Sequence, residues 1–160
     1  MESGRSVSHK KLDLFFLLLI ILIVAAVPVG IRQYEKGRWP EGLSSNAKKF
    51  TLTGHSGRGW ILGEVKAYET LRPAKLMDPA DRPVIAVSKG DLVVLKLKSS
   101  DVIHGFSLKD AGIYLTEGIH PGRAVFVTFR ADKAGIFTFS CNAICGVQHQ
   151  KMQGTLIVKV

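Results

Sequence analysis

At 160 residues the chain has room for one domain and an appendage. Its 22 Lys and Arg against 13 Asp and Glu give a formal net charge of +9, but the basic residues are scattered and no aromatic–basic run interleaves them. That argues against nucleic-acid binding and leaves a solvated surface, anionic lipid or an acidic partner to account for the charge; two cysteines are too few for a disulfide scaffold.

Residues 1–13 form a polar tail carrying Arg5, Lys10 and Lys11. Leu14 to Ile31, LFFLLLIILIVAAVPVGI, is 18 residues without a charge. A helix of that length covers roughly 27 Å, close to the hydrocarbon thickness of a bilayer. Residues 14–31 are therefore expected to be a transmembrane anchor, with Pro28 and Gly30 tolerable near its end. A cleaved signal peptide processed at Val24-Ala25-Ala26 is the alternative, but the run is long for one and lacks a clear A-x-A box. Tyr34 and Trp39 suit the outer interface. Arg32, Lys36 and Arg38 balance the basic residues before the helix, so flanking charge does not orient it.

Residues 32–49 are polar and turn-rich and read as a linker, with a domain over 50–160. Short β-segments follow. VIAVS (Val84 to Ser88) and DLVVLKLKS (Asp91 to Ser99) flank a Lys89-Gly90 turn. AVFVTFR (Ala124 to Arg130) places Val125, Val127 and Phe129 on one face. GIFTFSC (Gly135 to Cys141) and GTLIVKV (Gly154 to Val160) complete the strong strands. Short strands at this spacing predict an antiparallel sandwich. Residues 53–83 are the least legible; GEVKAYETL (Gly63 to Leu71) fits either strand or helix.

The chemistry concentrates in SCNAICGVQHQKM, Ser140 to Met152. Both cysteines lie there, in the pattern Cys141-x3-Cys145-x3-His149-x2-Met152, on one loop between two predicted strands. Thiolate and thioether are soft donors, and imidazole suits copper and zinc. Zinc has little use for methionine, whereas Cys and His with a weak axial Met is a copper electron-transfer set. A second histidine is expected from elsewhere, and His104 in SSDVIHGFSL is the best placed, with Asp101 available to orient it.

Together DVIHGF, HPGR and CNAICGVQHQKMQGTLIVK resemble the dinuclear copper (CuA) domain of subunit II of haem–copper cytochrome oxidases, over about Val84 to Val160. The single N-terminal anchor is similar to the one-helix subunit II of B-family oxidases. The resemblance implies a mainly β fold, a cupredoxin-type Greek-key β-sandwich preceded by one transmembrane helix. It implies two copper ions, with Cys141 and Cys145 as bridging thiolates and His104 and His149 each on one copper. Met152 and the backbone carbonyl of Ala143 would be the weak axial ligands. Many family members carry glutamate where this chain has Ala143; the carbonyl survives the change, but the carboxylate that helps bind an interfacial magnesium does not.

The resemblance further implies single-electron transfer from a soluble donor, a cytochrome c or small copper protein, to the catalytic subunit I of a haem–copper oxidase. Because soluble donors of the family meet the domain on the outer face, the copper domain is expected outside the cytoplasm and residues 1–13 inside, with the anchor in membrane lipid. The net positive charge predicts a donor that is acidic or docks through apolar contacts around the copper loop. Other classes fit parts of the pattern. A stand-alone copper carrier, a CuA subunit of a nitric oxide reductase and a copper chaperone all use such donors. A mononuclear blue-copper site would leave Cys141 without a use, and two inert thiols or a disulfide would leave His149 and Met152 without one. His120 is expected in a solvated turn, Trp60 and Phe106 in the core, and His9 and His55 carry no sign of a role.

Overall fold

The computed structural model describes residues 9–65, 81–146 and 149–160. It comprises two compact units, Met1–Pro40 and Glu41–Val160. The first eight residues of the expected tail, and 66–80 of the least legible segment 53–83, including most of Gly63 to Leu71, lie outside the described residues.

Helix α1 runs His9–Gly37. Within it the candidate span Lys10–Tyr34, 25 residues, holds an 18-residue window of mean hydropathy 3.2 with no buried residue. A helix that is apolar all round satisfies its backbone internally, as hydrocarbon requires. The helix continues past the apolar run into 32–37, where Arg, Gln, Glu and Lys are all good helix formers. There the Arg38 guanidinium sits 5.9 Å from the centre of the Tyr34 ring.

Among the described residues nine strands build the second unit: β1 Lys48–His55, β2 Gly59–Leu62, β3 Val84–Ser88, β4 Leu92–Ser99, β5 Ser107–Leu108, β6 Ile113–Tyr114, β7 Val125–Arg130, β8 Gly135–Ser140 and β9 Gln153–Lys159. One sheet has the order β2-β1-β4-β7 and the other β3-β9-β8-β5-β6. Alternation explains the burial: in β3 only Ile85 and Val87 are buried, and in β9 only Gly154, Leu156 and Val158. The expectation of an antiparallel sandwich is corrected in two places. β1 pairs parallel with β4, and β3 pairs parallel with β9. Parallel neighbours need a long connection, and residues 56–91, which cross to the other sheet through β3, supply it for the first pair.

Trp60, Phe106 and Phe139 are fully buried between the sheets. Trp60 meets Phe106 edge-on at 5.6 Å, and Phe106 lies 5.8 Å from Phe139. Burying each ring contributes about 1.5–3 kcal/mol. This aromatic layer is the floor of the site, because Trp60 also lies 6.3 Å from the His104 ring.

Candidate metal centre

The β8–β9 ladder ends with Ser140 opposite Gln153. One step further, the Cys141 N–H donates to the Met152 carbonyl at 3.1 Å, closing the base of the loop. Two donor side chains are thereby set at neighbouring strand ends. A single 3-10 turn, His149–Lys151, returns the chain: His149 N–H bonds the Gly146 carbonyl and Met152 N–H bonds the His149 carbonyl, both at 3.1 Å. Val147 and Gln148 lie outside the described residues.

The sequence-predicted donors meet around the two sulfurs. Cys141 Sγ and Cys145 Sγ are 3.5 Å apart and both thiols are free, well beyond the ~2.05 Å of a disulfide. Cys141 Sγ lies 3.2 Å from the Ala143 carbonyl oxygen. Cys145 Sγ lies 3.8 Å from His149 Nδ1 and 3.7 Å from Met152 Sδ. Cys141, Cys145 and Met152 are buried, and His149 is half-buried.

His104 arrives from the loop after β4. Its backbone makes a two-way bridge with Ile119, His104 N–H to Ile119 O at 3.2 Å and the return bond at 2.7 Å. The ring is completely buried. A ring nitrogen of His104 and the two sulfurs lie within 4.8 Å of one another. Nε2 is bonded to Asp101 Oδ1 at 2.8 Å, which assigns the ring proton to that nitrogen. Nδ1 is left buried without a hydrogen-bond partner. Such an orphan costs about 1–3 kcal/mol, and a coordinated metal would relieve it. Soft sulfur, imidazole and carbonyl donors around one buried point fit copper.

Electrostatics prepare the same donors. Burial alone would raise the Asp101 carboxyl, but hydrogen bonds from Ser56 and His104 outweigh it and hold it down at about 2. Burial also disfavours the Cys141 thiolate, yet contacts with His104 and with backbone at Ala143 and Gly105 reverse this and lower its pKa. Gly105 N–H points at Cys141 Sγ from 3.3 Å. Cys145 is pushed up, first by burial and then by the adjacent Cys141. His104 is raised: burial opposes its charge, and Cys141 and Asp101 overcome that.

Sequence reasoning missed the contribution of β1. Gly54 runs against the site: a Cβ there would lie 2.7 Å from His104 Cδ2 and 2.9 Å from Met152 Cε. Gly105 is similarly constrained, because a Cβ would strike the Asn142 side chain and lie 2.8 Å from Ala143 N. His55, read as carrying no role, is buried beside Asp101. A lone histidine between glycines gives no periodic signal; only the tertiary approach of β1 reveals it. His120 is exposed, as a solvated turn residue would be, and Trp60 and Phe106 are core. The His9 side chain lies outside the described residues.

Residues 65–159, more than half of the chain, match the family described as "Cytochrome C oxidase subunit II, periplasmic domain". The chain is similar to cytochrome c oxidase subunit 2 of Thermus thermophilus, 37% identical over 75 residues, covering 47% of this chain and 54% of that protein. It spans about half the length of the curated relatives it matches. Its fold is that of the periplasmic domain of subunit II of cytochrome oxidase of Bradyrhizobium japonicum, with TM-score 0.51 and 22% identity over 72% of this chain and 86% of that one. It also resembles a chain of a heme-copper terminal oxidase dimer, with TM-score 0.52 and 19% identity over 94% and 99% of the two chains. The cupredoxin-type sandwich behind one apolar helix, expected from the motifs, is the fold observed. On the family match and the sandwich that carries it, the chain belongs to the cytochrome c oxidase subunit II family.

Proposed function

We propose that this chain transfers single electrons through a dinuclear copper centre, from a soluble donor to the catalytic subunit of a haem–copper oxidase. One observation carries the reading: two free, buried cysteine sulfurs 3.5 Å apart, each with further donors beside it. A mononuclear site has no use for the second sulfur. His104, Cys141, Cys145, His149, Met152 and the Ala143 carbonyl would hold the metals. Bound there, two coppers would supply a one-electron couple shared across both sulfurs.

The residues contribute in separate ways. Cys141 and Cys145 offer two thiolates to a common pair of ions. His104 is held by Asp101 with Nδ1 presented inward. The aromatic layer of Trp60, Phe106 and Phe139 excludes water and resists rearrangement. A buried, stiff donor set changes little between redox states, which favours fast transfer. The chain's own part is binding, orientation and insulation.

Residues 14–31 serve as a retained anchor in membrane lipid, with 50–160 as the copper domain on the outer face and residues 1–13 inside. The apolar helix and the match to a periplasmic domain support that orientation. The donor is a cytochrome c or a small copper protein.

The test is metal analysis and electron paramagnetic resonance of the detergent-solubilised chain. Two coppers per chain, with one unpaired electron delocalised over both, is the expected result. An electron localised on one copper would return the site to the mononuclear class. Zinc in the natively isolated protein would sink both copper readings.

A further inference from the structure

His55 is a buried titratable side chain that the donor set does not use. Its Nδ1 accepts the Gly57 N–H at 3.0 Å, and its carbonyl accepts Arg58 N–H at 3.2 Å. Together these close the turn between β1 and β2. The same Nδ1 lies 3.7 Å from Asp101 Oδ2. An Nδ1 that accepts from Gly57 carries no proton, so this approach is not an ion pair. What the turn does deliver to Asp101 is Ser56, whose N–H bonds Oδ2 at 2.7 Å and whose hydroxyl, with the Val102 backbone, also holds the carboxylate. The other carboxylate oxygen holds His104 Nε2 at 2.8 Å. Next to the turn, the Gly54 carbonyl accepts both Ser100 N–H, at 3.0 Å, and Ser100 Oγ–H, at 2.9 Å. The end of β1 is thus bound to the loop that carries Asp101 and His104.

We propose that His55 is a positioning residue for the metal centre: by closing the turn after β1 it aims the Ser56 N–H at Asp101, which fixes the ring orientation and tautomer of His104. The proposal rests on the copper reading for its consequence, but its structural content does not require metal. Without the Nδ1 acceptor the turn loses its internal bond to Gly57. Ser56 then no longer holds Oδ2 in place, the carboxylate keeps only the Val102 backbone bond beside His104 and gains freedom to rotate, and Nε2 loses its fixed partner. Partners of this kind around a ligating histidine are worth about 10–100-fold in metal affinity.

The experiment uses the full chain in detergent, with His55→Phe, which keeps a ring but removes the acceptor, and His55→Asn, whose side-chain carbonyl can accept an N–H two residues on. Nitrogen-15 NMR of the metal-free chains reads the imidazole tautomers directly. The wild type should show His55 with Nδ1 unprotonated and His104 protonated on Nε2. His55→Phe should mix the His104 tautomers, and His55→Asn should restore the single form. With copper added, His55→Phe should lose metal to a chelator about tenfold faster and shift the reduction potential, with Asn restoring both. A wild-type His55 protonated on Nδ1 overturns the proposal without any variant, so a misfolded His55→Phe does not shelter it. So does a single His104 tautomer in His55→Phe, or an Asn variant no better than Phe. Failure of the wild type to bind copper would overturn the electron-transfer reading instead, and the tautomer measurement would still decide the role of His55.

Discussion

Two short segments meet at His104 and contribute in opposite ways. The loop from Cys141 to Met152 supplies side chains whose chemistry is rare: two thiols, an imidazole and a thioether. The turn Gly54 to Gly57 supplies almost none. It offers a missing side chain at Gly54, a backbone donor at Ser56 and a closing acceptor at His55. On the proposed copper reading, the first segment determines which metal is welcome and the second how His104 is held. Donor identity is written in side chains, whereas donor orientation is written largely in backbone.

The largest effect should come from the donor side. Cys141→Ser or Cys145→Ser removes one of two adjoining sulfurs, and the delocalised copper signal should vanish in either variant. A signal that survives in one of them would show that a single sulfur suffices and would remove the reason for pairing them. On the other side, Gly54→Val should matter nearly as much although it deletes no donor. The added carbons must displace the His104 ring or the Met152 methyl. Overpacking of this kind typically costs about 1–3 kcal/mol, readable as a lowered unfolding midpoint in the metal-free protein, with weakened copper retention beside it. A neutral Gly54→Val would mean that β1 is a spectator.

Met152→Leu tests the weakest donor. The change nearly conserves volume, so stability should fall by less than about 1.5 kcal/mol. Copper should stay bound and the reduction potential should move, because an axial thioether tunes the couple rather than holding the ion. An unchanged potential would demote Met152 to packing against Cys145 and Gly54. The smallest effect is expected at Ile144, which is on the donor loop and 94% exposed. With Val102 and Ile103, also exposed, it gives the site an apolar margin. Ile144→Ser should slow electron delivery from a soluble donor a few-fold and leave the copper spectrum alone, with a rate nearly insensitive to salt. Fast transfer from a highly basic cytochrome that slows steeply as salt rises would instead point to a local acidic patch.

Legibility followed the same division. Strands β3, β4, β7, β8 and β9 were readable because short runs of β-branched and aromatic residues lie between turn residues. The donor loop was readable because four unusual ligand types share one short stretch. β1 was not, since Gly54 interrupts its far end, Gly57 and Gly59 follow close behind, and its first residues, Lys48 and Lys49, look like linker. Parallel pairing was not, since nothing local distinguishes a strand that crosses between sheets from one that turns back. Asp101 was legible as a partner for His104 by proximity in sequence; His55 was not, because forty-odd residues separate it from the carboxylate it serves.

The parallel pairing of β1 with β4 also orders events in time. The β8–β9 hairpin is local, and hairpins close in about 1–10 μs. Pairing β1 with β4 must first bring together strands separated by residues 56–91, an entropic cost that slows non-local contacts. The local hairpin that carries both thiols is therefore expected to close before the turn after β1 docks on the Asp101 loop. In a refolding chain the two sulfurs are thus open to surrounding metal or oxidant before the turn that steadies His104 is in place.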